Sequence, residues 1–200
     1  SVLLSVVVVF SVKGYMIQSS KDEMKALAEI ASSSIDGDQF ASIQEGQENT
    51  EEYQQVLTTI SKILFNPDVQ FIYTMRKNDK GQLCFVVDAD TSESKSMIGD
   101  VYEEANEEMM QCLSGVTTVD KEITTDSLGS YYSAYAPIFD KQGNVVGLVG
   151  VDCENNTIQD QLMNLVKVIV IATILCLLVV VVWGVVLSRK IGKNLIGISY

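Results

Sequence analysis

The sequence predicts an α+β fold, with helices against an antiparallel sheet and an apolar segment at each end of the chain. Three observations predict it. Val168 to Leu187 is one run of twenty residues without a charge. Two stretches rich in β-branched residues each fold back around a turn closed by glycine, which reads as two hairpins. Ahead of them, apolar residues recur at spacings of three and four, the period of a helix.

The elements follow in order. Residues 1–18 open SVLLSVVVVFSV and then meet Lys13, so they read as a truncated first membrane helix. A secretory signal peptide is the alternative, with only Ser19-Ser20 weakly permissive for cleavage. From Lys21 to Ile35, the residues Met24, Leu27, Ala28, Ala31 and Ile35 share one helical face. Nothing between Gly14 and Ile35 demands a break, so one long helix is expected. Asp36-Gly37-Asp38 ends it, with Gly37 suited to a left-handed cap. A loop with room for a helical turn leads to Asn49 and Thr50, where a second helix starts. Asn49 and Glu52 have capping-box spacing. Tyr53, Val56, Leu57, Ile60 and Leu64 form its apolar face, and Asn66-Pro67 stops it.

The first hairpin joins Val69–Lys77 to Gln82–Asp90. EEANEEMMQCLSG reads as a helix ended by Gly115, and VTTVDKEITTD as an edge strand. The last hairpin pairs Tyr132–Asp140 with Asn144–Asp152 around KQG. Both hairpins have a second strand ending in Val-Asp, at Asp88 and Asp152. The closing apolar run, placed at 165–188, is long enough at about 1.5 Å per residue to cross a hydrocarbon core.

Charge sets an orientation. Residues 161–200 hold Lys167, Arg189, Lys190 and Lys193 and no acid, and residues 1–18 hold only Lys13. With −12 on the whole chain, residues 19–160 carry −17. Basic residues directly after the second span place that end in the cytoplasm and 19–160 outside. So acidic a domain excludes a nucleic-acid partner. The chain has no histidine, so zinc sites and Ser-His or Cys-His catalysis lack an imidazole. No metal or cofactor is called for, and the visible region is not expected to be an enzyme. Of four cysteines, Cys176 lies in the second span. Cys84, Cys112 and Cys153 show no paired spacing and read as core residues.

The order of elements resembles the single Cache domain, an extracytoplasmic relative of PAS domains. The residues that carry the likeness are IDGDQF, VQFIYTMRKNDKGQLCFVVDAD and SAYAPIFDKQGNVVGLVGVD. The resemblance implies a PAS-like five-stranded antiparallel sheet in the order 2-1-5-4-3. A long N-terminal helix would cover one face and a ligand pocket the other. Residues 189–200, SRKIGKNLIGISY with its preceding serine, resemble the first helix of a HAMP module through Ile191, Leu195 and Ile198. Asn194 stands where many such helices carry proline, and a basic juxtamembrane stop is the alternative. The resemblance further implies a multi-pass membrane receptor, a homodimer in contact with membrane lipid. Its output past residue 200 would be chemotaxis signalling through a kinase and an adaptor. A histidine kinase or diguanylate cyclase is the alternative output.

Strand alternation nominates the ligand face. Val146, Leu148, Gly150 and Asp152 share one side of the last strand, and Val145, Val149, Val151 and Cys153 the other. On the preceding strand Tyr131, Ser133 and Tyr135 put hydroxyls on one side, while Tyr132, Ala134 and Ala136 suit a close helix. Asp152 is a ligand candidate or a turn cap. Tyr131, Ser133 and Tyr135 orient a ligand or are ordinary strand residues. Arg76 is the one arginine of 19–160, a carboxylate clamp or a solvated strand end. Tyr73, Asp88 and the loop at Tyr102 complete the expected site, and a small carboxylate is the expected ligand. Asp88-Ala89-Asp90 lacks the glycine of a metal loop and reads more readily as a cap. A membrane-anchored enzyme and a purely structural surface domain are the competing functions. The first lacks a paired nucleophile and base, and the second has no need of helices joining the domain to the membrane at both ends.

Overall fold

In a computed structural model of the chain, residues 2–126 and 129–196 are described. The chain divides into two compact units, Ile17–Ile158 and Ser1–Met16 with Gln159–Tyr200. In the second unit lies Met163–Arg189, 27 residues whose most apolar 18-residue window has a mean hydropathy of 3.2 and is not buried. Among the described residues it is the one helix long and apolar enough to cross a membrane, by length and composition. It is part of α5 (Asn155–Ile196). Of the residues that carry the HAMP likeness, Ile198 and the side chains of Ile191 and Leu195 lie outside the described residues.

The first unit begins within α1 (Val2–Ser33), the long N-terminal helix. Its expected apolar face is buried at Met24, Ala28 and Ala31. The serine run 32–34 ends it, with the Ser33 and Ser34 hydroxyls donating to the Ile30 carbonyl and competing with the helix ladder. Asp36 then caps α2 (Gly37–Ser42), accepting from the Asp38 and Gln39 N–H groups. Gly37 is therefore not a left-handed cap. It opens α2, and a Cβ there would meet the Phe139 carbonyl oxygen at 2.1 Å, so the need is for close approach of two backbones. Thr50, rather than Asn49, caps α3 (Glu51–Ser61) by accepting from the Tyr53 N–H. A 3₁₀ turn, Lys62–Phe65, follows.

The sheet contains β1 (Phe71–Lys77), β2 (Leu83–Asp88), β3 (Thr118–Val119), β4 (Thr124–Asp126), β5 (Gly129–Phe139) and β6 (Val145–Glu154). Its path is β2-β1-β6-β5-β3, and β4 also pairs with β5. Counting β3 and β4 as the one expected edge strand gives the order 2-1-5-4-3, as the family resemblance implies. The edge breaks at Asp120, whose neighbours Lys121 and Glu122 are exposed while Asp120 itself is turned inward and buried. Gly81 and Gly143 supply positive φ (78° and 85°) at the two hairpin turns. Asp152 does not end its strand, for β6 runs on to Glu154 and α5 starts at the next residue.

The sheet has two differently covered faces. On one, Lys21 of α1 lies over the Tyr132 ring, and Phe40 of α2 presses on Gly147. The other carries a cluster of Tyr73, Met75, Phe85, Tyr135 and Leu148 with Met109 and Cys112 of α4 (Glu107–Cys112). α4 is capped by Asn106, which accepts from the Met109 N–H.

Candidate functional site

Register decides which side chains meet on the second face. On β1, Phe71, Tyr73 and Met75 point there, and Ile72, Thr74 and Arg76 point the other way. Asp152 stands between Phe71 and Ser133, and Gly150 between Tyr73 and Tyr135. Tyr73 is also paired with Asp88 of β2. The central strands thus present two polar rows, Phe71-Asp152-Ser133 and Asp88-Tyr73-Gly150-Tyr135.

Phe71, Tyr73, Asp88 and Asp152 of these rows, with Phe85, Asp90, Ser94 and Tyr102, line a small cavity of about 20 Å³. That is room for about one water. The floor is the Tyr73 ring, which lies directly over Gly150, where a Cβ would meet Cε2 at 2.4 Å. The Tyr73 hydroxyl donates to Asp152 Oδ1 at 3.2 Å. Edge-to-face contacts carry the aromatic wall outward, from Tyr73 to Phe85 at 5.5 Å and from Phe85 to Tyr102 at 5.9 Å.

Asp88 and Asp152 are both buried, at 7% and 8% exposure. The Asp88 carboxylate accepts from the Asp90 N–H (2.9 Å) and the Ser96 N–H (2.8 Å), so it also folds the segment that roofs the cavity. Burial pushes its carboxyl above the ordinary value, and the two backbone donors only partly offset this. Burial, with the Asp152 charge second, holds the Tyr73 phenol well above its ordinary value, so it stays a donor. Among the described residues no buried side-chain nitrogen or oxygen lacks a hydrogen-bond partner. The cavity is polar yet satisfied, so a ligand has to exchange with bonds already made.

Of the sequence candidates, Tyr73, Asp88, Tyr102 and Asp152 are brought together around this cavity. Tyr131, Ser133 and Tyr135 share its face without lining it. The Tyr131 ring packs edge-on against Phe71 at 5.4 Å. Ser133 and Tyr135 turn toward Asp120, which accepts from the Ser133 N–H (3.3 Å) and the Tyr135 hydroxyl (3.5 Å). Arg76 is not part of the site. It stands three residues from Tyr73, an odd step, and so on the opposite face. There its guanidinium donates to the Ala41 and Ile43 carbonyls at 3.2 and 2.5 Å, capping the end of α2. It borders a larger open hollow of about 530 Å³ by the β1–β2 turn, with Lys77, Asn78 and Asp79. That hollow is the bigger space, but the buried polar groups converge on the smaller one, which is the better candidate. Sequence reasoning missed Asp120 and Asn106, and, while placing Gly150 on the ligand face, missed that Gly150 seats the Tyr73 ring. An acid inside a Val/Thr strand was the available signal for the first, and a glycine flanked by aliphatic residues for the last.

No family model matches the sequence, and no curated protein matches it. Solved structures do match the fold. The sensor domain of the V. cholerae histidine kinase DctB aligns with a TM-score of 0.63 at 11% identity, over 80% of this chain and 58% of that one. The ligand-binding domain of the Campylobacter jejuni chemoreceptor Tlp3, in complex with 4-methylisoleucine, aligns at 0.52 and 13% identity, over 76% and 58%. The periplasmic sensory domain of the C. jejuni chemoreceptor Tlp1 aligns at 0.50 and 19% identity, over 74% and 59%. The chain spans under three-fifths of the length of each. Its fold is the fold of these sensor and ligand-binding domains.

Proposed function

We propose that the chain is the sensing region of a transmembrane receptor, and that its ligand is a small molecule bearing an ammonium group. The observation that carries this is the pair of buried carboxylates, Asp88 and Asp152, brought together on one cavity wall of aromatic rings and hydroxyls. A buried carboxylate favours a partner of opposite charge, and ring faces add cation–π attraction. The carboxylate ligand expected from sequence depended on Arg76 as its clamp, and Arg76 serves the opposite face. The ligand exchanges with Tyr73 at Asp152, and the roof around Ser94 and Tyr102 moves to admit it.

The remaining organisation belongs to the same proposal. Residues 1–18 and 165–188 cross the membrane, 19–160 lie outside, and 189–200 begin a HAMP module inside. The receptor is a homodimer joined along α1, and its output past residue 200 is a chemotaxis module acting through a kinase and an adaptor. A histidine kinase or diguanylate cyclase is the alternative output behind the same sensor. The likeness to sensor domains of chemoreceptors and a histidine kinase supports the receptor reading and leaves both outputs in play.

A thermal-shift screen of the full chain in detergent tests the ligand class. Primary amines and amino acids are expected to raise the unfolding midpoint, and dicarboxylates without an amine to leave it unmoved. Stabilisation by dicarboxylates alone would refute the ammonium reading.

A further inference from the structure

Lys21 lies on α1, yet only 9% of it is exposed. Its ammonium donates to the carbonyl oxygens of Asp120 (2.5 Å) and Lys121 (2.8 Å) and sits 4.9 Å from the centre of the Tyr132 ring. Those carbonyls are at the break between β3 and β4, where the ladder leaves backbone groups in need of partners. The Asp120 side chain, 2% exposed, serves the other face of the sheet. It accepts from Asn106 Nδ2 at 2.9 Å, the Ser133 N–H at 3.3 Å and the Tyr135 hydroxyl at 3.5 Å. Asn106 in turn holds the first turn of α4 through the Met109 N–H, at 2.8 Å.

A lysine needed only to fill the break would end at the two carbonyls. Here the residue that supplies one of them also holds three groups of the ligand face. From this we infer that Lys21 and Asp120 are positioning residues that tie α1 to Tyr135, Ser133 and the cap of α4. A displacement on the ligand face is thereby passed to the N-terminal helix. That direction of transfer rests on the receptor reading; the linkage itself does not. Coupling of this kind is reciprocal, so a change at either end is felt at the other.

Hydrogen exchange on the full chain in detergent, without any ligand, tests the linkage. In Lys21→Met, the Met109 and Ser133 amides are expected to exchange at least tenfold faster, with the amides of β1 and β2 unchanged. Lys21→Arg, which keeps a donor, restores protection. Asp120→Asn should in turn speed exchange in α1 around residues 21–28 at least tenfold. Acceleration confined to α1, or spread evenly over the sheet, would overturn the inference and leave Lys21 a packing residue. If Lys21→Met does not fold, Asp120→Asn decides alone, and unchanged exchange in α1 counts against the linkage. A failed ligand screen would not alter these outcomes.

Discussion

On the α1 face of the sheet, Gly147 lets the Phe40 ring press onto β6; on the opposite face, three residues along the same strand, Gly150 lets the Tyr73 ring do so. One device serves two purposes. Phe40 is fully buried, as are Val149 and Val151 on that face, and the buried Thr74 paired with Val149 spends its hydroxyl on the Val87 backbone of β2. Tyr73 carries a hydroxyl that reaches Asp152, so the same close approach brings a carboxylate and a phenol into one cavity. The difference teaches that the helix-covered face holds the sheet in shape, which frees the other to keep buried acids that do little for stability.

Breaking the first face should have the largest effect. Phe40→Ala empties a fully buried site, and a loss of about 3–5 kcal/mol is expected, read as a drop in the urea midpoint. A loss under about 1 kcal/mol would mean that this face does not carry the fold. On the second face, Gly150→Ala forces the Tyr73 ring aside. The expected cost is about 1–3 kcal/mol, together with a changed near-ultraviolet dichroism as Tyr73 leaves Asp152. An unchanged spectrum would show that the glycine is not what seats the ring.

How much of this was legible in the sequence follows the physics of each feature. The hairpins were, because alternation and a positive-φ glycine are local. So was the face shared by Gly150 and Asp152, because the pleat has a period of two. The same parity separates Arg76 from Tyr73, but its charge drew more weight than its position. Gly37 was misjudged because its constraint is tertiary, an approach to Phe139 that no local pattern encodes. Asp120 was legible only as an acid inside a Val/Thr strand: its partners Asn106, Ser133 and Tyr135 come from distant segments, and the break that turns it inward interrupts the expected strand.

The smallest expected effect sharpens the contrast electrostatically. Burial raises the Asp88 carboxyl, so the folded chain holds that proton more tightly than the unfolded chain. Its stabilising contribution is complete below the unfolded value of about 3.8 and is lost as pH rises through the higher folded value. Chemical denaturation from about pH 4 to pH 7 should show wild type losing stability relative to Asp88→Asn. Equal slopes, or a gain, would contradict a desolvated carboxylate at this position.

The ligand face is tested most directly by titration calorimetry of an amine found in the screen, against wild type, Asp152→Ala and Arg76→Gln. The account predicts that Asp152→Ala weakens binding by about ten- to a hundredfold, as losing a charged hydrogen bond of about 1.5–3 kcal/mol requires. It predicts wild-type affinity for folded Arg76→Gln. Unchanged affinity in folded Asp152→Ala, with loss in Arg76→Gln, would contradict it and move the site to the hollow beside the β1–β2 turn.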